Sequence, residues 1–254
     1  MLVVPTSTRR APGAKQDVTA RLIRAFKEMI AEGSLIPGQR LPPERDLAES
    51  FGVARSSLRQ ALKVLEIMGV ISQRVGDGTY LKTDAAAILG EPMEFLILLD
   101  GITFHELMEA RLIVEPELTA RAAARATSDD IEELETVLKA MEAALDHPAK
   151  FVVQDLLFHH TIFRIAANRV CGLMFTVVHQ SLAKLIQLTS KVVPAEHTLK
   201  LHRRIFLAIR KRDAEEARRR MTEHLEDAQG LLRNAAERQR PAGAGKRSAP
   251  RLLR

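Results

Sequence analysis

A single cysteine, Cys171, leaves no partner for an internal disulfide and too few thiolates for a sulfur-bound zinc cluster. Long apolar runs are missing as well. No stretch reaches the roughly 18 residues that a membrane-spanning helix needs. The opening Met1-Leu2-Val3-Val4-Pro5 is too short, and too soon broken by proline, to read as a signal peptide. These absences point to a cytoplasmic protein. What is present is ordinary for a folded chain, with 254 residues, 46% hydrophobic and 28% charged, long enough for two domains.

Charge is distributed unevenly. Residues 1–83 hold 13 basic and 8 acidic side chains, residues 84–232 hold 18 and 23, and residues 233–254 hold 7 and 1. A basic front joined to an acidic middle suggests a module for a polyanion beside one with another task.

The pattern of apolar residues orders the chain. Residues 1–14 read as a disordered arm. Val18, Leu22, Phe26, Met29 and Ile30 recur at helical spacing until Gly33. A short helix opens at Pro42-Pro43-Glu44, and a third runs from about Ala54 to Met68. The period then changes. Val70 to Val75 and Thr79-Tyr80-Leu81 flank Gly76-Asp77-Gly78, which predicts a hairpin. Three helices and a hairpin over 15–83 predict a winged helix-turn-helix. Residues 84–92, ending Gly90-Glu91-Pro92, read as a linker. Over 93–236 only amphipathic helices are predicted, at roughly 93–99, 103–125, 128–145, 149–167, 170–192, 195–211 and 213–236. The expected fold is therefore mainly α, with an N-terminal winged helix-turn-helix and a C-terminal all-α helical bundle. Residues 237–254 read as a disordered basic tail.

The third helix carries the first chemistry. Arg55, Arg59 and Lys63 line one face, while Val53, Leu58, Ala61, Leu62 and Leu65 line the other. Arginine on the face that enters a major groove can bond guanine O6 and N7 together. Ser56 and Ser57 stand where hydroxyls and helix-start N–H groups hold phosphates. Arg45 opens the preceding helix, and Gly76 and Gly78 let the wing backbone approach DNA.

The stretches Gly38-Gln-Arg-Leu-Pro-Pro-Glu-Arg-Asp-Leu-Ala48, Phe51-Gly-Val-Ala-Arg55, Leu58-Arg-Gln-Ala-Leu62, Leu65-Glu-Ile-Met-Gly-Val-Ile71 and Gly76-Asp-Gly-Thr79 resemble the DNA-binding domain of GntR-family bacterial transcription regulators. The resemblance covers about residues 17–82. It implies that Arg45, Arg55, Arg59 and Gly76 contact DNA. Ala54 stands where the family usually has Ser or Thr, and Pro43 where it usually has Ser.

The bundle carries the second constellation. Asp155 and His159 share one helix face with Val152, Leu156 and Phe163. Alone, such a pair reads more readily as a core hydrogen bond than as a metal site. His202 and His224 lie on the apolar faces of the last two helices, and three inward imidazoles with one carboxylate can converge on a divalent ion. Zn, Ni, Mn and Fe all suit that donor set. His160 reads as a neighbour of the site, and His105, His147, His179 and His197 as surface or helix-start histidines. Arg218-Arg219-Arg220 reads as a solvated face, and Cys171 as a small core residue.

Asp155-x3-His159, then His202 43 residues on and His224 22 further, resembles the metal-binding subset of the all-helical FCD effector domain found in the FadR subfamily. The words around Glu106–Pro116, Asp155–Asn168 and Asp213–Leu225 agree, over about residues 93–232. Ala167 stands where that family usually has glycine. The resemblance implies a homodimeric regulator, a repressor relieved by ligand, reading a pseudo-palindromic double-stranded DNA operator. It also implies that a small organic acid binds at the metal, with Arg111 and Asn168 as effector-binding residues. Read without the family, Arg111 is an i, i+4 pair with Glu115 worth a few tenths of a kcal/mol. Two rival functions are a metal sensor, in which the ion is the signal, and a metal-dependent hydrolase; no dedicated general base beside the four ligands favours the latter.

Overall fold

The computed structural model describes residues 18–84, 86–189 and 194–238. The arm expected over 1–14, and all but the first two residues of the tail expected over 237–254, lie outside them. The chain divides into two compact units, Met1–Ile88 and Leu89–Arg254.

In the first unit α1 (Val18–Ala31), α2 (Glu44–Ser50) and α3 (Arg55–Ile67) precede β1 (Ile71–Arg74) and β2 (Gly78–Leu81). Leu22, Phe26 and Met29 of α1 and Leu58, Ala61, Leu62 and Leu65 of α3 repeat at three or four residues, so each helix buries a single stripe. They meet Leu47, Ala48, Ile71 and Leu81 in one core. Each leucine so buried contributes about 1.5–3 kcal/mol, against a few tenths for a surface pair. The apolar stripe therefore fixes how α3 is rolled, and it leaves Arg55 and Arg59 outside.

The strands pair antiparallel with Ile71 opposite Leu81 and Arg74 opposite Gly78. The connecting turn needs Gly76 at φ +77° and Gly78 at φ +139°. At Gly78 an added Cβ would also lie 2.6 Å from Arg40 Nε. Gly78→Ala should therefore lose about 1–3 kcal/mol of stability from backbone strain alone. A thermal melt showing no loss would contradict that geometry.

From α4 (Ala86–Asp100), which begins just before the second unit, the regular structure among the described residues is helical: α5 (Phe104–Arg125), α6 (Ser128–Ala143), α7 (Pro148–Ile165), α8 (Arg169–Thr189), α9 (Ala195–Arg210) and α10 (Ala214–Arg238). Most ends fall within three residues of those predicted. The exception is the segment expected as a linker, because α4 starts at Ala86 and runs through Pro92. A proline inside a helix costs about 3 kcal/mol. Further along α4, Met93 and Ile97 pack with Leu107 and Met108, and that tertiary burial outweighs local preference.

Helix α5 is the centre of the bundle and packs against α7, α8, α9 and α10. Its buried face runs through Leu107, Met108, Arg111, Glu115, Leu118, Thr119, Ala122 and Ala123. The alanines let neighbours approach closely, and the two charged residues arrive inside the fold with them. Capping boxes at Thr103/Glu106 and Thr127/Asp130 fix the starts of α5 and α6. Burial pushes the Asp130 carboxyl up, but hydrogen bonds from Thr127 and Arg164 outweigh it and hold it below the usual Asp value. Its stabilisation is thus present above pH 3.8 and is lost as pH falls through the lowered value. Asp130→Ala should lower stability by about 1 kcal/mol at neutral pH. The gap to wild type should close below pH 4; a gap constant with pH in thermal melts would contradict this.

Candidate DNA-reading face and metal cage

On the first unit, Arg55 and Ser56 are exposed in the first turn of α3, and Ser57 is half-buried behind them. Ala54 at the N-cap supplies no side-chain acceptor, so the leading N–H groups of α3 keep donors for a phosphate. Arg45 is largely exposed and pairs with Asp46 at 3.1 Å. Arg59 is exposed too, but it is steered: its Nε and Nη2 donate to Glu44 Oε2 at 3.2 and 3.0 Å. One guanidinium edge is held and another left outward. Gly76 is exposed at the wing turn beside Val75, which is fully exposed. The wing adds two cations that sequence reasoning passed over. Arg40 lies against Gly78, and the Arg74 guanidinium sits 4.8 Å from the Tyr80 ring centroid.

In the second unit the expected ligands come together from three helices. His159 (α7) and His202 (α9) are fully buried and His224 (α10) nearly so. One ligand atom from each lies within 4.8 Å of the others. His202 Nδ1 donates to the Thr198 carbonyl oxygen at 2.9 Å, so its Nε2 carries the lone pair. That Nε2 is 3.3 Å from His159 Nε2 and 3.3 Å from Asp155 Oδ1. His224 Nδ1 is buried with no hydrogen-bond partner among the described residues.

These distances fit an ion. Nitrogen and oxygen ligands at 2.0–2.2 Å from zinc in a tetrahedron stand about 3.3–3.6 Å apart. An unpartnered buried nitrogen is a cost, and a cation removes it where that nitrogen is the ligand atom. Burial lowers the pKa of every cage imidazole, that of His202 to about 4. Neutral imidazole is the form that binds metal.

Behind the cage lies a group that the sequence did not reveal. Glu115, fully buried, has its Oε1 at 2.5 Å from Arg111 Nε and 2.7 Å from His179 Nε2. Its Oε2 is 2.8 Å from His159 Nδ1. His179 is therefore not a surface residue; it is 2% exposed. Nor is Arg111–Glu115 a solvated pair. Burial pushes the Glu115 carboxyl up, but Arg111, His179 and His159 outweigh it and hold it well below the usual range.

Asn168 sits elsewhere. Its Oδ1 accepts from the Cys171 N–H at 3.1 Å, at the start of α8. With His160, Phe163, Arg164, Arg169 and Thr176 it borders a cavity of about 240 Å³ whose lining does not include the cage histidines. Ala167, just before it, takes φ +55°, the conformation for which glycine is better suited. His105, His147 and His197 are exposed as expected. Arg218, Arg219 and Arg220 are tied to Glu117, Glu215, Glu216 and Glu223 rather than simply solvated.

A basic helix and wing in one unit, and a buried imidazole–carboxylate cage in a helical bundle in the other, define a DNA-binding regulator with a ligand-sensing domain. Residues 18–81 match the model of bacterial regulatory proteins of the gntR family, and residues 106–227 match the FCD domain. The chain belongs to the GntR family of transcriptional regulators. It is 32% identical to the HTH-type transcriptional repressor NanR of Enterobacter sp. (strain 638), over 87% of this chain and 88% of that one. It is 30% identical to the Uxu operon transcriptional regulator of Escherichia coli K12, over 82% and 83%. Among solved structures, a GntR protein of Streptococcus agalactiae superposes with a TM-score of 0.64 at 25% identity, covering 84% of this chain and 97% of that one. These relatives are regulators, not enzymes. No described helix is long and apolar enough to cross a membrane.

Proposed function

We propose that this regulator is a homodimeric repressor whose hold on a pseudo-palindromic operator is loosened when a small organic acid binds at a divalent metal in the helical domain. The observation that carries the reading is the cage. Two buried imidazole Nε2 atoms face each other at 3.3 Å, with the partly exposed Asp155 at the same distance from one of them. With the His159 proton on Nδ1, both Nε2 atoms present lone pairs, and a cation between them removes their repulsion.

Asp155, His159, His202 and His224 would hold the ion, with Zn, Ni, Mn and Fe as candidates. Bound there, the cation would supply a positive centre for an effector carboxylate. Arg111 adds a second positive group. It gives its Nε to Glu115, while Nη1 lies only 3.9 Å from the soft Met108 sulfur, so its terminal donors suit a carboxylate better. Asn168 gives its Oδ1 to the start of α8, which holds the α7–α8 turn, and as an effector-binding residue it would act from the cavity it borders.

In the first unit, Arg45, Arg55, Ser56, Ser57, Arg59 and Gly76 form the DNA surface. Phosphate contacts give salt-dependent grip, and Arg55 and Arg59 give base discrimination. Two-fold symmetry in the protein calls for two half-sites in the operator. An acid that binds one dimer geometry better than the other shifts DNA affinity by that difference.

A thermal-shift screen of small carboxylates on metal-loaded and chelator-treated protein tests the reading. An acid that raises the midpoint only with metal present supports it, because a ligand of the folded state stabilises by mass action. Equal shifts with and without metal would contradict it.

A further inference from the structure

Glu115 and His179 lie outside the cage, although with His159 they too bring one ligand atom each within 4.8 Å of one another. Glu115 contacts three helices from its place on α5: Arg111 on its own helix, His159 on α7 and His179 on α8. Its contacts, at 2.5–2.8 Å, are hydrogen-bond and ion-pair distances, shorter than the 3.3 Å edges of the cage. A second ion seated among Glu115, His159 and His179 would spread them to such edges, and would also face the Arg111 guanidinium. The group is therefore a hydrogen-bonded support.

Glu115 Oε2 and His159 Nδ1 are both buried and lie 2.8 Å apart, not aligned as a hydrogen bond, and neither has a hydrogen-bond partner among the described residues. Each is thus the partner available to the other. A carboxylate that faces a guanidinium serves as an acceptor, so the proton belongs on His159 Nδ1 and the lone pair on Nε2. That Nε2 is the atom aimed at His202.

We propose, on the metal-cage reading above, that Glu115 is a positioning residue that fixes the His159 tautomer for the metal and ties that ligand to Arg111 and, through His179, to α8. A carboxylate behind a metal-bound histidine raises its basicity, and losing one weakens metal binding about 10–100-fold. Sharing one carboxylate also joins the effector-facing arginine to a metal ligand, so a load on either is felt at the other.

The experiment titrates Co²⁺ into the full-length chain against a competing chelator and records its visible ligand-field bands. Wild type, Glu115→Gln, Arg111→Met/Glu115→Gln and His202→Ala are compared. The double variant covers the case in which Glu115→Gln fails to fold because the buried guanidinium is left unpaired. Support is one equivalent of Co²⁺ bound about 10–100-fold more weakly, with a shifted band, in whichever Glu115 variant keeps the wild-type circular dichroism. Wild-type affinity and bands there overturn the positioning role. Complete loss of Co²⁺ with the fold intact also overturns it, since Glu115 would then be a ligand. So does a second equivalent in wild type that the Glu115 variants lack. His202→Ala separates the two levels. If it keeps its full equivalent, the cage itself fails; if it loses it while Glu115→Gln matches wild type, only the role of Glu115 fails.

Discussion

His202→Ala should empty the cage. Metal content measured by elemental analysis should fall from one divalent ion per chain to near none after dialysis. Buried zinc sites contribute about 10–16 kcal/mol in all, so one ligand of four carries about 2.5–4 kcal/mol, a loss of roughly 70- to 900-fold in affinity. The ring also packs edge-on against Phe158 at 4.6 Å, so some stability goes with it. The control is His197→Ala, which removes an exposed histidine of the same helix that pairs with Asp227 at 3.0 Å. It should keep its metal. Equal metal content in the two variants would contradict the assignment of His202.

Arg59→Ala should weaken operator binding by about 1–3 kcal/mol, or 5- to 150-fold, and relax selectivity at one base pair. Binding to unrelated duplex should change far less, because that affinity comes from phosphate contacts. The pair with Glu44 sharpens the expectation. Without Arg59, the Glu44 carboxylate is left uncompensated on a surface that faces a polyanion. Adding Glu44→Gln to Arg59→Ala should therefore recover part of the loss. Gel-shift titrations on an operator selected from random duplexes measure both. Unchanged operator affinity in Arg59→Ala would remove it from the reading role.

Much of this could be read from the chain because its signals are local. A helix declares its buried stripe within a dozen residues, as α1 and α3 do through Leu22–Phe26–Met29 and Leu58–Leu62–Leu65. The wing turn shows itself through Gly76 and Gly78, which take positive φ. Asp155 and His159 are visible as a pair because one helical turn separates them.

What escaped the sequence depends on packing between distant segments. His179 meets Glu115 across 64 residues, and nothing in its own neighbourhood on α8 announces a buried carboxylate. Arg111 and Glu115 look like any surface i, i+4 pair until α7, α8, α9 and α10 close around α5. Pro92 signals a break, yet α4 continues past it to bury Met93 and Ile97. Arg40 lies near Gly78 only because residues 38–41 bond back to β2, with Leu41 N–H donating to the Thr79 carbonyl at 2.8 Å.

The position of a bound ion bears most directly on this account. Crystals of the full-length protein grown with Co²⁺ or Zn²⁺, measured on either side of the metal's absorption edge, should show one anomalous peak per chain bounded by His159 Nε2, His202 Nε2, His224 and Asp155. A peak at another cluster, or no peak there with metal in excess, would contradict it.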